Sequence, residues 1–264
     1  MMFTFFAFGV AIAFFISSLI LLNYGRRLGL KYLQQDSADG MAGLPAVEGA
    51  VFALIGLLVA FTVSGALHRY DERRQLVLQE ANAATTAYDR LGLFEENVAR
   101  DLRTHLREYV AARIELYRMP HDFSLLEGTE VWSREQQQKI AKLKTGLSDG
   151  MLATCATNFR PACTLNAPAL SSLFDVARLR VGAAEKHPPN ILFIMLFGLG
   201  LGASLLAGFG MAAAKARSWI HMVTFAATLA VTLYVVTELE FPRLGFITIE
   251  DFDRFLVEAY EQMK

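Results

Sequence analysis

Four long apolar segments limit what this chain can fold into more than any other feature of its sequence. None of them contains Asp, Glu, Lys or Arg, and as helices rising about 1.5 Å per residue each could cross a hydrocarbon core of about 30 Å. Hydrophobic residues also make up 54% of the chain, which is more than a soluble domain usually carries. The sequence therefore predicts a multi-pass membrane protein with four transmembrane helices. The segments are residues 3–22, 49–67, 191–214 and 219–237.

The first segment has the alternative interpretation of a cleaved signal peptide, and three features favour a retained helix. No basic region precedes the apolar run, and the run is longer than the apolar core of a signal peptide. The sequence Asn23-Tyr24-Gly25 that follows is a poor cleavage site. We therefore expect this segment to remain as the first transmembrane helix.

The residues between the second and third apolar segments form the only polar region of any size. Their apolar side chains recur at steps of three and four, so we expect a helical bundle. Basic and acidic residues are nearly equal in number there, which gives no net field to attract nucleic acid. Ser133 and Gln136 resemble a capping box, and Pro120 is expected to end a helix. The expected helices cover 69–91, 98–119, Ser133 to Lys142 or Leu147, and 168–184.

These patterns predict an all-α membrane protein with four transmembrane helices and a helical soluble insert between the second and the third. The expected division of the chain is 1–67 for the first two transmembrane helices, 68–190 for the helical soluble insert, 191–237 for the last two transmembrane helices, and 238–264 for a C-terminal amphipathic helix.

The second transmembrane helix is expected to continue into the insert as a stalk, because neither Gly nor Pro lies between Ala66 and Leu91. Charged residues are dense at the start of the stalk and at the end of the fourth segment. Two interpretations stay open: a solvated ion-pair network that also anchors to lipid, or a ring of arginines that concentrates anions at a pore mouth. The predicted network consists of Arg69, Glu72, Arg73, Arg74, Glu80, Glu238 and Glu240. We expect Glu80 to pair with Arg73, Arg74 or an arginine of the next helix.

The run "AFTVSGALHRYDERRQ" resembles the segment of bestrophin anion channels in which the second membrane helix emerges into the cytosol. Phe61, Arg69, Glu72 and Arg74 match that motif, whereas its polar residues between Phe and Arg are largely replaced. A closer resemblance is to the bestrophin-like family of membrane proteins. Its stalk pattern is matched by Arg73, Leu76, Glu80 to Ala83, Thr86 to Tyr88, Arg90 and Leu91. Its acidic element is matched by "ELEFPRLG", with Glu238, Glu240, Pro242 and Gly245.

The resemblance implies a homo-oligomeric, multi-pass protein of the inner (plasma) membrane that forms an anion channel or a channel-like pore. It also implies that the insert and both termini are cytosolic, so that the stalk and "ELEFPRLG" share one side of the membrane. The alternative is a non-conducting sensor or scaffold whose insert binds a protein partner. If a pore exists, one face of the second segment is expected to line it. The pore-lining candidates are Ile55, Val59, Thr62 and Ala66.

Small residues four apart in the third segment suggest close helix packing, either at Gly198 and Gly202 or at Ser204 and Gly208. Cys155 and Cys163, the only cysteines, flank the Pro-containing sequence "CATNFRPAC". They either close a disulfide across a loop or remain reduced and half-buried. Their spacing does not suit zinc, and no catalytic motif is present, so we expect no metal, no cofactor and no enzymatic activity.

Overall fold

The computed structural model describes residues 2–35, 44–118, 129–157, 160–213, 218–241 and 250–263. These residues are almost entirely helical, and none of them lies in a β-strand. The helices are α1 (Met2–Gln35), α2 (Leu44–Leu91), α3 (Glu96–Arg118), α4 (Thr129–Thr157), α5 (Arg160–Glu185), α6 (Asn190–Gly210), α7 (Trp219–Glu240) and α8 (Glu250–Gln262), with a short 3-10 helix at Met211–Ala213.

Four stretches of the described helices are long and apolar enough to span a membrane: Phe6–Tyr32, Ala46–Leu91, Pro161–Ala213 and Trp219–Glu240. They contain nearly all of the four apolar segments of the sequence. Helices α3 to α5 and the second half of α2 form the polar insert. The predicted fold class, an all-α membrane protein with a helical insert between the second and third spans, is confirmed.

The first compact unit comprises Met1–Arg69 and His187–Ile247, and in it α1 packs against α6 and α7. Glycines let α1 and α6 approach backbone to backbone. A Cβ atom on Gly208 would lie 2.1 Å from the Leu22 carbonyl oxygen, and one on Gly25 would lie 2.0 Å from the Leu205 carbonyl oxygen. Any side chain at either position would therefore overlap the facing backbone.

Only one of the two small-residue pairs expected in the third span lies at this helix contact. Ser204 is buried and Gly208 meets α1, whereas a Cβ atom on Gly198 or Gly202 would have nothing within 4 Å. Of the two alternatives that the sequence leaves open, the structure has the contact within the chain at Ser204 and Gly208, and a contact of Gly198 and Gly202 with another subunit stays a prediction.

The second compact unit comprises Tyr70–Lys186 and Thr248–Lys264. Its core is a single cluster of apolar side chains from α2, α3, α4, α5 and α8. Leu106, Leu147 and Leu173 are among its most completely buried members, and α8 contributes Leu256 and Ala259. The C-terminal helix thus completes the core of the helical bundle.

Two helices of the second unit begin earlier than the sequence signals suggested. Helix α4 begins at Thr129, so Ser133 is not its N-cap. Gln136 instead donates to the Ala112 carbonyl oxygen on α3, at 3.0 Å. Helix α5 begins at Arg160 and carries Pro168 inside it. Buried Asn166 donates to the Arg90 carbonyl oxygen at 2.9 Å, so tertiary contacts hold the first turns of α5 despite the proline.

Cys155 and Cys163 form a disulfide that joins the end of α4 to the start of α5. Both cysteines lie within helices, whereas the sequence suggested a loop from one cysteine to the other. Of the two alternatives that the sequence leaves open, the structure has the disulfide.

The predicted C-terminal element, residues 238–264, is divided between two helices. Glu238 and Glu240 belong to the end of α7, whereas the terminal helix α8 begins at Glu250. Pro242 and Gly245, which the acidic motif also includes, lie outside the described residues.

Candidate functional site

One ion cluster of the first unit joins the end of α2's membrane segment, the short segment between α5 and α6, and the end of α7. Arg69 donates through Nη2 to Glu240 Oε2 at 2.7 Å and through Nε at 2.9 Å. His187 Nδ1 lies 3.3 Å from Glu240 Oε1, and its ring stacks on Phe241 with 4.8 Å between centroids. One carboxylate therefore links a guanidinium and an imidazole at the membrane boundary. We call Arg69, His187 and Glu240 the boundary cluster.

The members of the boundary cluster differ in their exposure to solvent. The Glu240 side chain is 0% exposed, whereas the Arg69 side chain is 22% exposed and the His187 side chain is 39% exposed. The acid is thus enclosed, and the basic groups form the outward side of the cluster. Such an enclosed pair is stronger than a surface ion pair, because the surroundings have a lower dielectric than bulk water.

A cavity of about 220 Å³ lies beside the boundary cluster, within the first unit. Its wall is mostly apolar, and Arg69 and Glu240 are its charged residues. The lining residues are Leu58, Phe61, Thr62, Gly65, Arg69, Pro188, Leu192, Phe193, Met195, Leu196, Val236 and Glu240.

A second ion cluster lies inside the helical bundle of the second unit. Glu80 on α2 accepts from Arg113 Nε on α3 and from Arg180 Nη1 on α5, each at 2.7 Å. Arg180 also binds Asp253 on α8. Glu80 is 1% exposed, and both arginines are nearly as buried. Four helices therefore converge on paired charges in the interior. We call Glu80, Arg113, Arg180 and Asp253 the bundle cluster.

Tyrosines complete the bundle cluster and shape its electrostatics. Arg113 binds the Tyr117 hydroxyl, and Arg180 Cζ lies 3.5 Å from the centroid of the Tyr117 ring. Burial lowers the pKa of Arg113, but the Glu80 carboxylate more than offsets this, so the pKa of Arg113 is raised overall. Burial raises the pKa of Tyr109 to about 12. Arg113 thus stays charged and Tyr109 stays protonated at neutral pH.

The other arginines predicted for the network have structural contacts of their own. Arg73 is buried and donates to the carbonyl oxygens of Ala183 and Lys186, at 3.0 Å each, at the C-terminus of α5. A cation there stabilises the negative end of the helix dipole. Arg74 pairs with Asp71 at 3.1 Å and stacks over the Phe252 ring of α8.

Glu72 and Glu238 have contacts with residues other than arginine. Glu72 lies 3.8 Å from Lys186 Nζ at the surface of the second unit. Glu238 is buried near the end of α7 and hydrogen-bonds with Tyr234, one turn earlier. Glu240 of the predicted acidic pair binds Arg69, as expected for the end of α7 and the start of the stalk.

A family model described as a Bestrophin-like domain matches residues 12–251, which is most of the chain. The chain belongs to the bestrophin-like family. The relationship suggested by the stalk and acidic motifs is thereby confirmed. No curated protein matches this bestrophin-like chain.

Solved structures of a bacterial bestrophin homologue from Klebsiella pneumoniae are similar to this bestrophin-like protein in fold. One variant is 16% identical, with a TM-score of 0.67, and the match covers 96% of this chain and 98% of the other. A second variant is 15% identical, with a TM-score of 0.70 and coverage of 94% and 98%. A further structure of the homologue is 16% identical, with a TM-score of 0.66 and coverage of 93% and 98%. At these identities the likeness establishes the fold.

The pore-lining candidates of this bestrophin-like protein lie mostly on the inner side of α2. Ile55 and Ala66 are buried, and Val59 packs against a core cluster of the first unit. Thr62 is half-buried and donates to the Leu58 carbonyl oxygen at 2.8 Å. Ile55 and Ala66 thus pack within the chain while the opposite face of α2 is exposed, and the lining of a passage by Ile55, Val59, Thr62 and Ala66 stays a prediction.

Arg113, Arg180, His187 and Asp253 are cluster residues that sequence reasoning did not single out. The sequence predicted that Glu80 could pair with an arginine of the next helix, but it did not specify which one. The structure identifies that arginine as Arg113 of α3. Pro188-Pro189 predicted a break in the chain before the third span. No sequence signal indicated that His187, the residue before these prolines, would contact Glu240. Among the described residues, no group of three or more His, Cys, Asp or Glu side chains is placed to hold a metal ion.

Proposed function

We propose that this bestrophin-like protein is a homo-oligomeric anion channel of the inner (plasma) membrane, with a helical insert and no enzymatic activity. We do not propose a cytosolic side for the insert, because its Cys155–Cys163 disulfide is typical of an oxidising compartment. Membership of the family supports a channel, and the resemblance to bestrophin anion channels supports the choice of ion. In the proposed channel, the α2 helices of all subunits together surround a central axis. The passage along this axis is narrowest where large apolar side chains project from α2.

The observation that carries the proposal is the exposure of α2. Only 11% of its most apolar window is buried within the chain, against 22%, 33% and 28% for the other three spans. Leu54, Leu57 and Phe61 recur on its exposed face at steps of three and four. Each of these side chains is more than half exposed. A ring of such side chains from several subunits would form an apolar constriction of the kind that gates ion pores.

Helix α2 would also carry any change in the insert to the passage, because it runs without interruption from Leu44 to Leu91. Its membrane half bears the exposed apolar face, and its other half bears Glu80 of the bundle cluster. We therefore propose that the insert holds the orientation of α2.

Reconstitution into liposomes tests the proposal. We expect purified protein to release trapped chloride faster than protein-free liposomes, and to release potassium much more slowly than chloride. Native mass spectrometry of the same preparation should give a closed oligomer. A monomer at all concentrations, or membranes that stay impermeable to chloride at high protein density, would contradict the proposal.

A non-conducting scaffold is the second candidate, and exposed leucines of the insert favour it. Leu152 is 68% exposed and Leu179 is 56% exposed, although both lie on helices of a folded bundle. A contiguous patch that includes such side chains would suit a protein partner. A scaffold would be supported by an oligomer that binds a protein through these leucines and conducts no ion.

A further inference from the structure

The cavity beside the boundary cluster has the form of a site for an amphiphile. Leu58 and Thr62 of α2 lie on one side, and Leu192, Met195 and Leu196 of α6 lie on the other. These residues belong to membrane-spanning segments, so the cavity lies at the depth of the hydrocarbon core. A volume of about 220 Å³ accommodates part of a hydrocarbon chain but not a further helix.

The polar end of the cavity presents a cation. Arg69 uses Nε and Nη2 to bind Glu240, whereas its Nη1 lies beside Gly65, 3.3 Å from where a Cβ atom of that residue would be. The absence of a side chain at Gly65 therefore leaves room for Nη1 at the cavity wall. Of the two charged residues in the cavity wall, the Arg69 side chain is 22% exposed and the Glu240 side chain is 0% exposed, so the guanidinium is the group that a ligand can reach.

We propose that this cavity binds one membrane phospholipid per subunit, with part of an acyl chain between α2 and α6 and the phosphate at Arg69 Nη1. The apolar wall of the cavity suits an acyl chain, and the guanidinium at its end suits a phosphate, because arginine binds phosphate well. The guanidinium also lies where the spans end, which is where the headgroup region begins. The lipid would fill a packing defect between α2 and the rest of the first unit.

A second copy of this chain matches the cavity less well than a phospholipid does. An apolar helix of a neighbouring subunit could cover Leu192 and Met195. It would provide apolar contacts but no hydrocarbon-linked phosphate for Arg69, and the two acidic residues at the end of its α7, Glu238 and Glu240, are buried in their own chain. The proposal does not depend on conduction, since a scaffold with the same fold would have the same cavity.

Native mass spectrometry with added lipid tests the proposal. The two probes are dioleoylphosphatidylglycerol and dioleoylglycerol, which share acyl chains and differ in the phosphate-containing headgroup. We expect the detergent-purified protein to retain one phosphatidylglycerol per subunit, and to bind dioleoylglycerol at least about tenfold more weakly, because the loss of a charge-assisted hydrogen bond has that magnitude. Equal retention of both probes would overturn the phosphate contact.

Two neighbouring substitutions on α6 test the position of the acyl chain. Met195 lines the cavity and Ile194 does not, although both side chains are exposed. Met195→Trp should fill the cavity and weaken phosphatidylglycerol binding about tenfold, whereas Ile194→Trp should leave binding unchanged. Equal binding by the two variants would overturn the proposed location.

A double variant tests the headgroup contact without leaving a buried charge unpaired. Arg69→Gln with Glu240→Gln removes both charges of the pair, and the variant should bind phosphatidylglycerol and dioleoylglycerol equally. A retained preference for phosphatidylglycerol would overturn the role of Arg69. A disulfide between subunits in a Leu192→Cys variant would identify the occupant as a second copy and overturn the lipid assignment.

Discussion

Glu80 is a buried carboxylate whose charge is balanced by two buried arginines. It is buried at 1% exposure and is neutralised by Arg113 and Arg180. Glu80→Ala would leave two buried guanidinium groups with one carboxylate, Asp253, between them. We expect the variant to lose on the order of 3 kcal/mol of unfolding free energy, measured by thermal or urea unfolding in detergent.

The matched control for Glu80 is Asp175, which pairs with Arg178 at the surface at 2.9 Å. The Asp175 side chain is 60% exposed, so Asp175→Ala should change the unfolding free energy by less than about 1 kcal/mol. Similar losses in the two variants would mean that the bundle cluster does not stabilise the fold through its charges.

Tyr109 gives the bundle a pH dependence in the alkaline range. Its pKa is raised to about 12 by burial, whereas an unfolded tyrosine titrates near about 10. Between these values the folded protein holds a proton that the unfolded chain releases, so this contribution to stability is present below about pH 10 and is lost as the pH rises towards 12.

Ultraviolet absorbance of tyrosinate measures this ionisation directly. The difference in absorbance between the wild-type protein and Tyr109→Phe should titrate near pH 12. A difference that titrates near about pH 10, while the protein is still folded, would show that the Tyr109 hydroxyl is accessible to water.

Charged residues could be predicted from the sequence as members of a network, but their pairing could not. The density of Arg and Glu at the start of the stalk indicates ion pairs, and Arg69 does meet the acidic end of α7. The pairing of Glu80 with Arg180 joins residues a hundred positions apart. Such a contact depends on how α5 packs on α2, which no local pattern specifies.

The contact between α1 and α6 depends on glycine at a position where the two backbones meet. Gly208→Ala would place Cβ 2.1 Å from the Leu22 carbonyl oxygen, and the helices would have to separate. We expect a loss of about 1–3 kcal/mol of stability, measured as a lower melting temperature in detergent.

Gly202→Ala is the control for this contact, because a Cβ atom there would have nothing within 4 Å. Its melting temperature should be unchanged or slightly raised, since alanine favours helix more than glycine does. A Gly208→Ala variant as stable as Gly202→Ala would contradict the close approach of α1 and α6.

The disulfide between α4 and α5 is expected to stabilise the insert. For a loop of this length, the chain-entropy model gives about 2–3 kcal/mol. A Cys155→Ser and Cys163→Ser double variant should therefore melt at a lower temperature than the oxidised wild-type protein. Reductant should lower the melting temperature of the wild-type protein and leave that of the variant unchanged. Identical responses of the two proteins to reductant would contradict the disulfide.

Helices were predictable where apolar periodicity was uninterrupted, and their boundaries were not predictable where tertiary contacts compete with local signals. The continuity of α2 from the membrane segment into the stalk follows from the absence of Gly and Pro after Ala66. The start of α5 at Arg160 does not follow from local signals, because Pro168 indicates a break. The buried hydrogen bonds of Asn166 explain why the helix continues through it.

The entire chain combines a membrane unit with a helical bundle, and α2 contributes residues to both. This architecture follows from four apolar segments and one polar insert, which is why it could be predicted from the sequence. The face of α2 that suits a passage could not, because the pattern of small and apolar residues is similar on both sides of the helix. Burial within the chain distinguishes them: Ile55 and Ala66 face inward, whereas Leu57 and Phe61 face outward.

A thiol-block experiment tests the proposed passage most directly, since Phe61 is expected to line it. The two native cysteines are joined in a disulfide, so Phe61→Cys would supply the one reactive thiol of each subunit. A water-soluble methanethiosulfonate should sharply reduce chloride flux from liposomes that contain this variant. The same reagent should leave flux unchanged in Val231→Cys, whose parent side chain is exposed on α7. Undiminished flux through Phe61→Cys, with labelling verified by mass, would contradict an axial passage lined by α2.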